Sequence, residues 1–483
     1  MHLRSVFRLT ALIQLLLAIF MLIPTAIGTA CDEDEAVAAF LCSIAIITVA
    51  SAITIFFTRK GKIIIKAKDS YLLVTLTWIL AAGFGALPLY LAKTFPTFMQ
   101  CYFEIMSGFT TTGATALTSI EDKPMSILFW RNMTNWLGGM GIVVLFVAIL
   151  PLLGVRGTNL VSAESVGPTK EKLTPKIQQT AFALWLMYLV LSVIETIFLL
   201  LGGLSLYDAV TVTFGTMGAA GFATKNASIG GYNSAYVDVV VTIFMLLSGA
   251  NFALYFKLLK GKFKQVAKDS ELRVYLGIIL VTSLLITINL LVEGVFSGIG
   301  TALRYSFFQV TSIITTTGFS TSNYDLWPSF SKALLLLLFF VGGCAGSAGG
   351  GIKVVRVSTM LMLARNTIRK RLHPNAITPT IQGAVVVAQD TLLSIAGFVG
   401  TYIMTGLFGM IAFSLSGCDF ETSFSSSFLL LGNIGIGFGQ VSPDGNFALF
   451  NNWLLTVGSF LMLVGRLELF TVYALFTKQF WQK

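Results

Sequence analysis

Long apolar runs separated by short polar stretches fill the chain from one end to the other, and no polar segment is large enough to fold as a soluble domain. Runs suited to crossing a bilayer fall at 7–30, 37–57, 71–92, 127–153, 180–203, 236–256, 274–292, 333–363, 390–415 and 453–476. Each is close to or above the roughly 20 residues that a helix needs to cross the hydrocarbon layer. The pattern predicts about ten spanning helices.

From residue 71 onward the runs come in pairs. Each pair encloses a stretch too short to cross, followed by a glycine-bearing turn. The turns read Thr110-Thr111-Thr112-Gly113-Ala114, Gly218-Ala219-Ala220-Gly221-Phe222-Ala223-Thr224, Thr315-Thr316-Thr317-Gly318-Phe319 and Gly432-Asn433-Ile434-Gly435. Gly437 lies two residues beyond the last turn and competes with Gly435 for the place of Gly318. Unwound backbone in hydrocarbon leaves amides and carbonyls unpaired, so such segments persist only inside protein or beside a water-filled cavity. One such turn reads equally well as a re-entrant loop or a helix C-cap. Four in parallel repeat point to a constriction around one axis, where glycine lets the chain turn and inward carbonyl oxygens replace the water shell of a cation.

The second run of the third pair is interrupted by Gly342-Gly343-Cys344-Ala345-Gly346-Ser347-Ala348-Gly349-Gly350-Gly351, directly ahead of Lys353 and Arg356. Each glycine costs a helix interior about 1 kcal/mol relative to alanine, so this segment predicts a real break, either a moving loop or a static kink for close packing. Lys353 and Arg356 then read as an anchor at the cytoplasmic surface or as snorkelling charges. The runs before residue 70 carry no turn of this kind and form an added hairpin.

Composition agrees: 55% of residues are hydrophobic and 11% charged, with a mean hydropathy of +0.83. The formal net charge of +10 is concentrated at 59–68, 156–176, 257–273 and 365–371. Short Lys- and Arg-rich loops stay cytoplasmic. The acidic run Asp32-Glu33-Asp34-Glu35 falls outside, which puts the N-terminus inside. The basic loops suit anionic lipid headgroups rather than nucleic acid. Residues 1–30 imitate a signal peptide, yet the apolar core is too long and a second span follows at once, so an uncleaved first helix is expected. Cys31, Cys42, Cys101, Cys344 and Cys418 form no CxxC pair, and His2 and His373 are the two histidines, which disfavours metal or redox chemistry. Neither GxGxxG after a strand nor GxxxxGK[ST] is present, so no nucleotide site of those kinds is expected, and no HExxH or Ser/His arrangement suggests an enzyme.

Residues 110–113, 315–319 and 342–356, with Gly465-Arg466-Leu467-Glu468, resemble the Trk/Ktr/HKT superfamily of potassium transport proteins. The amino-terminal hairpin makes the chain more similar to the Trk-type membrane subunit. The resemblance implies an all-α polytopic membrane protein with four pseudo-symmetric units of span, pore helix, filter turn and span around one central pore, plus that hairpin. The hairpin would occupy 1–69 and the units 70–178, 179–270, 271–385 and 386–483. It implies K⁺ bound by backbone carbonyls at Gly113, Gly221, Gly318 and Gly435, a gate in the loop of Gly342, Gly343, Gly346, Ser347, Gly349, Gly350 and Gly351, and an electrostatic barrier at Arg466. It implies a homodimer in the bacterial inner membrane. It also implies a cytoplasmic ring of nucleotide-binding subunits that carries ATP or NAD(H), this chain binding no cofactor itself.

Arg466 stands alone in an apolar run, where a charge costs roughly 2.5–3.5 kcal/mol on insertion scales, so it is expected to face the interior and find a partner. Glu468 is a poor one, since residues two apart on a helix point to different faces. Glu104, Asp208, Asp419 and Glu421 are expected near the outer ends of the short helices, as cation-concentrating charges or, for Asp208 and Asp419, as helix caps. A secondary transporter that couples K⁺ to H⁺ or Na⁺ is the alternative, with Glu195, Glu293 and Glu468 as candidate carriers of coupling.

Overall fold

The computed structural model describes residues 1–61, 63–141, 177–376, 378–382 and 385–482. An amino-terminal hairpin pairs Leu3–Phe20 and Leu22–Ala30 with Asp34–Thr58. The first of these packs against both Asp34–Thr58 and Ala67–Gly85. Glu33, in the acidic run, receives the Met125 amide at 2.5 Å and the Ser126 amide at 3.0 Å. It thereby satisfies the free donors at the start of a helix in the next unit.

Four units follow. Their outer helices are Ala67–Gly85 with Leu87–Leu91, Ile177–Leu201, Ser270–Val292 and Gln389–Leu415. Their short helices, which enter the fold and stop, are Phe98–Phe109, Leu206–Gly218, Ile299–Ile314 and Phe420–Gly432. Local sequence starts them. Thr97 and Gln100 form a capping box, Ser205 accepts the Asp208 amide at 3.1 Å, and Asp419 accepts the Thr422 amide at 3.2 Å. Asp208 therefore sits inside its helix rather than capping it, while Asp419 is the cap.

The inner helices begin at Met125, Ala235, Ser329 and Asn452, and the described parts end or break partway. Met125–Gly139 stops ahead of Gly141, whose φ is +73°. Residues 142–153 of the expected span and the basic stretch 156–176 lie outside the described residues. The runs 236–256 and 453–476, expected as single helices, are each broken. Ala235–Ser248 and Phe252–Leu259 meet at 92°, and Asn452–Arg466 and Phe470–Phe476 at 108°. Asn251 explains the first bend, because its side chain accepts the Ala253 amide at 2.9 Å and starts a new helix. At the second, Glu468 and Leu469 both take positive φ, +57° and +48°. In the third unit Ser329–Leu338 is separated from Val354–Leu372 by a non-helical loop that is largely buried, as the glycines predict.

Among the described residues six helices are long and apolar enough to span, and the two bent pairs bring the number to eight. Exposed Phe57, Leu201, Val292 and Leu415 lie on outer and hairpin helices, as a lipid-facing surface requires. Inside, Trp78, Phe109 and Trp130 stack edge to face at 6.4–6.5 Å behind the first short helix. A small antiparallel ribbon, with Ile381 opposite Val386, precedes the fourth outer helix.

Candidate functional site

All four short helices end in the same way. The residue after the last helical turn is left-handed: Thr111 (φ +54°), Ala219 (+53°), Thr316 (+58°) and Asn433 (+55°). The next amide then reaches back five residues, from Thr112 to Ser107, Ala220 to Gly215, Thr317 to Ser312 and Ile434 to Leu429, at 2.8–2.9 Å. This is a Schellman-type ending, in which the backbone caps its own helix. Glycine normally fills the left-handed place, and here Thr, Ala, Thr and Asn hold it. Local hydroxyl bonds support two of the turns: Thr110 and Thr112 meet at 2.9 Å, and Thr315 and Thr317 at 2.8 Å. In the fourth, the Asn433 amide donates to Thr112 Oγ1 and to the Met462 carbonyl, each at 3.0 Å.

Two residues beyond each left-handed position comes a glycine, and the four stand against one another in chain order. A Cβ on Gly113 would run into the backbone of Gly221, one on Gly221 would lie 2.6 Å from Gly318 O, one on Gly318 would strike Ile434 O, and one on Gly435 would strike Thr112 O. The ring closes on itself. Of the two glycines in the fourth segment it is Gly435 that stands in the ring, since a Cβ on Gly437 would meet Ser425 and Leu429 of its own short helix instead. On the side of the loops that lead to the inner helices, one cavity touches all four glycines and is lined also by Ser320 and Lys225. The Lys225 amine donates to Gly231 O at 3.0 Å and stands 4.4 Å over the Tyr232 ring.

The glycine-rich loop lies on the opposite side of the ring, against the ends of the short helices. A Cβ on Gly349 would be 2.6 Å from Thr315 O, and one on Gly350 would be 2.7 Å from Gly432 O. The Gly350 amide donates to Thr316 Oγ1 at 2.7 Å. Ser248 O and Gly249 O, at the bend of the second inner helix, accept the amides of Ala348 and Cys344 at 3.2 and 2.8 Å, and the Phe252 amide donates to Gly346 O at 3.2 Å. Ser347 sits at the partly exposed tip beside Gly346. The bend thus forms a seat for the loop.

Arg466 has partners, as its cost demands, and three of them are carbonyls of described residues. It donates to Ala348 O at 2.7 Å, Gly138 O at 2.5 Å and Gly139 O at 3.0 Å, so it ties the loop to the end of the first inner helix. Glu468 pairs instead with Arg356 at 2.7 Å, whose guanidinium lies 4.0 Å over the Phe398 ring. Lys353 is neither a surface anchor nor a snorkelling charge. It is 2% exposed, and its amine folds back onto the loop at Gly349 O. That contact neutralises a carbonyl which no helix serves.

Glu104 is likewise displaced from its expected place at the mouth. It is fully buried and bound to Arg131 at 2.5 Å, and it accepts from Thr115 Oγ1 at 2.8 Å and the Ala116 amide at 2.7 Å. Arg131 also donates to Ala223 O at 3.1 Å and lies 3.6 Å over Phe222. The pair clamps the first turn to the second. Glu421 is half exposed and meets Lys332 at 3.3 Å, beside Asp325. The Thr422 hydroxyl bonded to Asp419 holds that carboxyl below its ordinary value. Glu195 is buried in the second outer helix beside Thr216, and Glu293 is exposed at the end of the third.

Comparison with known proteins gives this geometry a context. The family model TrkH, described as "Cation transport protein", matches residues 36–483. The chain belongs to the TrkH family. The TrkH potassium uptake protein of Salmonella typhimurium is 37% identical over 490 residues, covering all of both chains. The TrkG potassium uptake protein of Escherichia coli is 34% identical over 434 residues, 88% of each. The crystal structure of the TrkH potassium transporter of Vibrio parahaemolyticus superposes with a TM-score of 0.89 at 33% identity, covering all of both chains. TrkH members are transport proteins rather than enzymes, and the multi-pass helical architecture is that of the family.

Some of this was visible in sequence and some was not. The bend at Asn251 carries a signal, Ser248-Gly249-Ala250-Asn251, which is a helix stop followed by an N-cap. The pairing of Arg356 with Glu468, and the role of Arg131, carry none, because the partners lie 112 and 27 residues apart.

Proposed function

We propose that this chain is the membrane subunit of a potassium uptake system and conducts K⁺ along the axis of its four units. The single observation that carries the reading is the closed ring of Gly113, Gly221, Gly318 and Gly435, with the glycine-rich loop pressed beneath it. K⁺ entering from the outer cavity sheds water against the backbone carbonyls of residues 110–113, 218–221, 315–318 and 432–435. Four helix C-terminal ends converge there, and their partial negative charge favours a cation. The loop of residues 342–351 is the gate, and Arg466 fixes it in the closed position while placing a positive charge beside the path. The basic loops keep the N-terminus cytoplasmic in a bacterial inner membrane and offer a docking surface to a nucleotide-binding regulatory ring that responds to ATP or NAD(H). The chain works as a homodimer. The names of its relatives, potassium uptake proteins, supply the ion.

The test is cation flux into liposomes holding the purified chain, with and without Gly318→Ser. At Gly318 φ is +77° and a Cβ would strike Ile434 O, so serine must displace the ring. K⁺ should enter faster than Na⁺, and the serine variant should lose that preference. Equal entry of both ions in the wild type would overturn the reading.

Coupled transport is favoured by one observation, the burial of Glu195 beside the second short helix. An intramembrane carboxyl is where a coupling proton would sit.

A further inference from the structure

The glycine-rich loop is tied down mostly by backbone groups, which any sequence would supply. Beside Lys353, which folds back from just past the loop, three described side chains from other elements add to this: Thr316 from the third turn, Arg466 from the fourth inner helix, and Glu271. The first two belong to the pathway itself. Glu271 does not. It lies in the first turn of the outer helix Ser270–Val292, which Asp269 caps by accepting the Leu272 amide at 2.9 Å.

One carboxylate oxygen of Glu271 reaches both the loop and the first turn of the helix that follows it. Oε1 accepts the Ala345 amide at 2.7 Å and the Val355 amide at 3.2 Å. Those donors are ten residues apart, so a single atom holds the segment between them closed. Two backbone bonds lie alongside, Gly342 N to Ile352 O at 2.6 Å and Val354 N to Gly343 O at 3.2 Å. One oxygen shared by two backbone donors ties two points of the chain at once, and losing it leaves two buried amides unpaired. Glu271 also directly follows the short helix Phe263–Ala267 and its flanking lysines, Lys257, Lys260, Lys262, Lys264 and Lys268. A displacement of that basic connector moves the base of the outer helix, and with it the carboxylate.

We propose that Glu271 is the latch of the loop. It is a positioning residue that keeps residues 345–355 folded under the ring and links them to the cytoplasmic connector 257–268. The inference rests on the reading of the loop as the gate, and its test separates the two. Cys344 lies in the loop, is fully buried, and serves as a native reporter. In the full chain in liposomes, with Cys31, Cys42, Cys101 and Cys418 replaced by serine, the reaction rate of Cys344 with a small methanethiosulfonate reagent is measured together with K⁺ flux.

Glu271→Ala should raise the Cys344 rate by roughly tenfold or more, the shift expected when two buried amides lose their shared acceptor. Glu271→Gln keeps an acceptor oxygen at the same reach and should stay within a few-fold of wild type. Glu271→Asp, one methylene short, should fall between, and it decides the matter where the alanine variant does not fold. Cys344 rates at the wild-type level in both the Ala and Asp variants would overturn the latch. A raised rate with unchanged flux would support the latch and count against the loop as gate.

Discussion

Gly221 and Gly318 belong to neighbouring units, yet a Cβ on the first would lie 2.6 Å from the carbonyl oxygen of the second. The backbone of Gly221 does not itself require glycine, since its φ is outside the left-handed region, whereas that of Gly318 does. Contact between units therefore excludes a side chain even where the local turn would accept one. Gly221→Ala should abolish the preference for K⁺ over Na⁺ in liposome flux, as Gly318→Ser should. A Gly221→Ala protein with wild-type preference would mean that the ring does not set the passage.

The fourth turn offers a sharper contrast. Gly435→Ala should destroy ion preference, because the added methyl strikes Thr112 O across the ring. Gly437→Ala pushes instead on Ser425, whose hydroxyl receives the Phe438 amide at 2.8 Å. It should lower the unfolding temperature while leaving the K⁺/Na⁺ flux ratio unchanged. The reverse pattern would assign ion choice to Gly437 and count against the ring as the filter.

Arg466→Ala removes three hydrogen bonds to carbonyls of the loop and of the first inner helix, together with a fixed positive charge. Potassium flux should rise several-fold, since a bond to a charged group is worth about 1.5–3 kcal/mol. Arg466→Lys should recover only part of the block, because an ammonium lacks the planar fork that reaches several acceptors. Flux assays on the two variants, run beside wild type, check the order.

Breaking the Glu104–Arg131 pair should act on stability. Removing one partner of a buried pair costs about 3–5 kcal/mol, because the other charge is left unpaired. Glu104→Gln should lower the thermal unfolding midpoint in detergent and loosen the exit of the first turn, where Thr115 Oγ1 and the Ala116 amide are left with one acceptor oxygen in place of two. An unshifted midpoint would show that the pair is dispensable to the fold.

Glu195→Gln separates the two transport mechanisms. In the pore reading, K⁺ follows its own gradient and an imposed pH gradient changes neither wild type nor variant. In the coupled reading, a pH gradient drives wild-type uptake against the K⁺ gradient, and the glutamine variant loses that drive.

Much of the architecture was legible because hydrocarbon makes certain residues conspicuous. Glycine and threonine clusters within the apolar pattern, a ten-residue glycine-rich segment and Arg466 each contradict the pattern around them, and each marks a place where the chain leaves a straight helix or buries a charge. What remained hidden is the partner in each case. Arg466 bonds to the carbonyls of Gly138, Gly139 and Ala348, and every residue owns a carbonyl, so nothing in the sequence announces these three bonds. Glu104 resembled a mouth charge until Arg131 was found against it. The bends at residues 249–251 and 467–469 were obscured by apolar runs that continue straight through them, because hydropathy reports burial in lipid and not the direction of the chain.

Those bends carry a mechanical consequence. An unbroken helix transmits an axial push along its length, but at 92° and 108° the push is turned sideways. The third inner helix is severed over residues 339–353, and the described part of the first ends at Gly141. The half of the molecule that holds the ring is thus joined to the half that holds the basic connector 257–268 through bends and loops rather than straight helices. On the proposed reading of the loop as gate and the ring as filter, segments beyond the bends would swing while the frame that holds the ring keeps its dimensions, and passage would be switched without retuning the choice of ion.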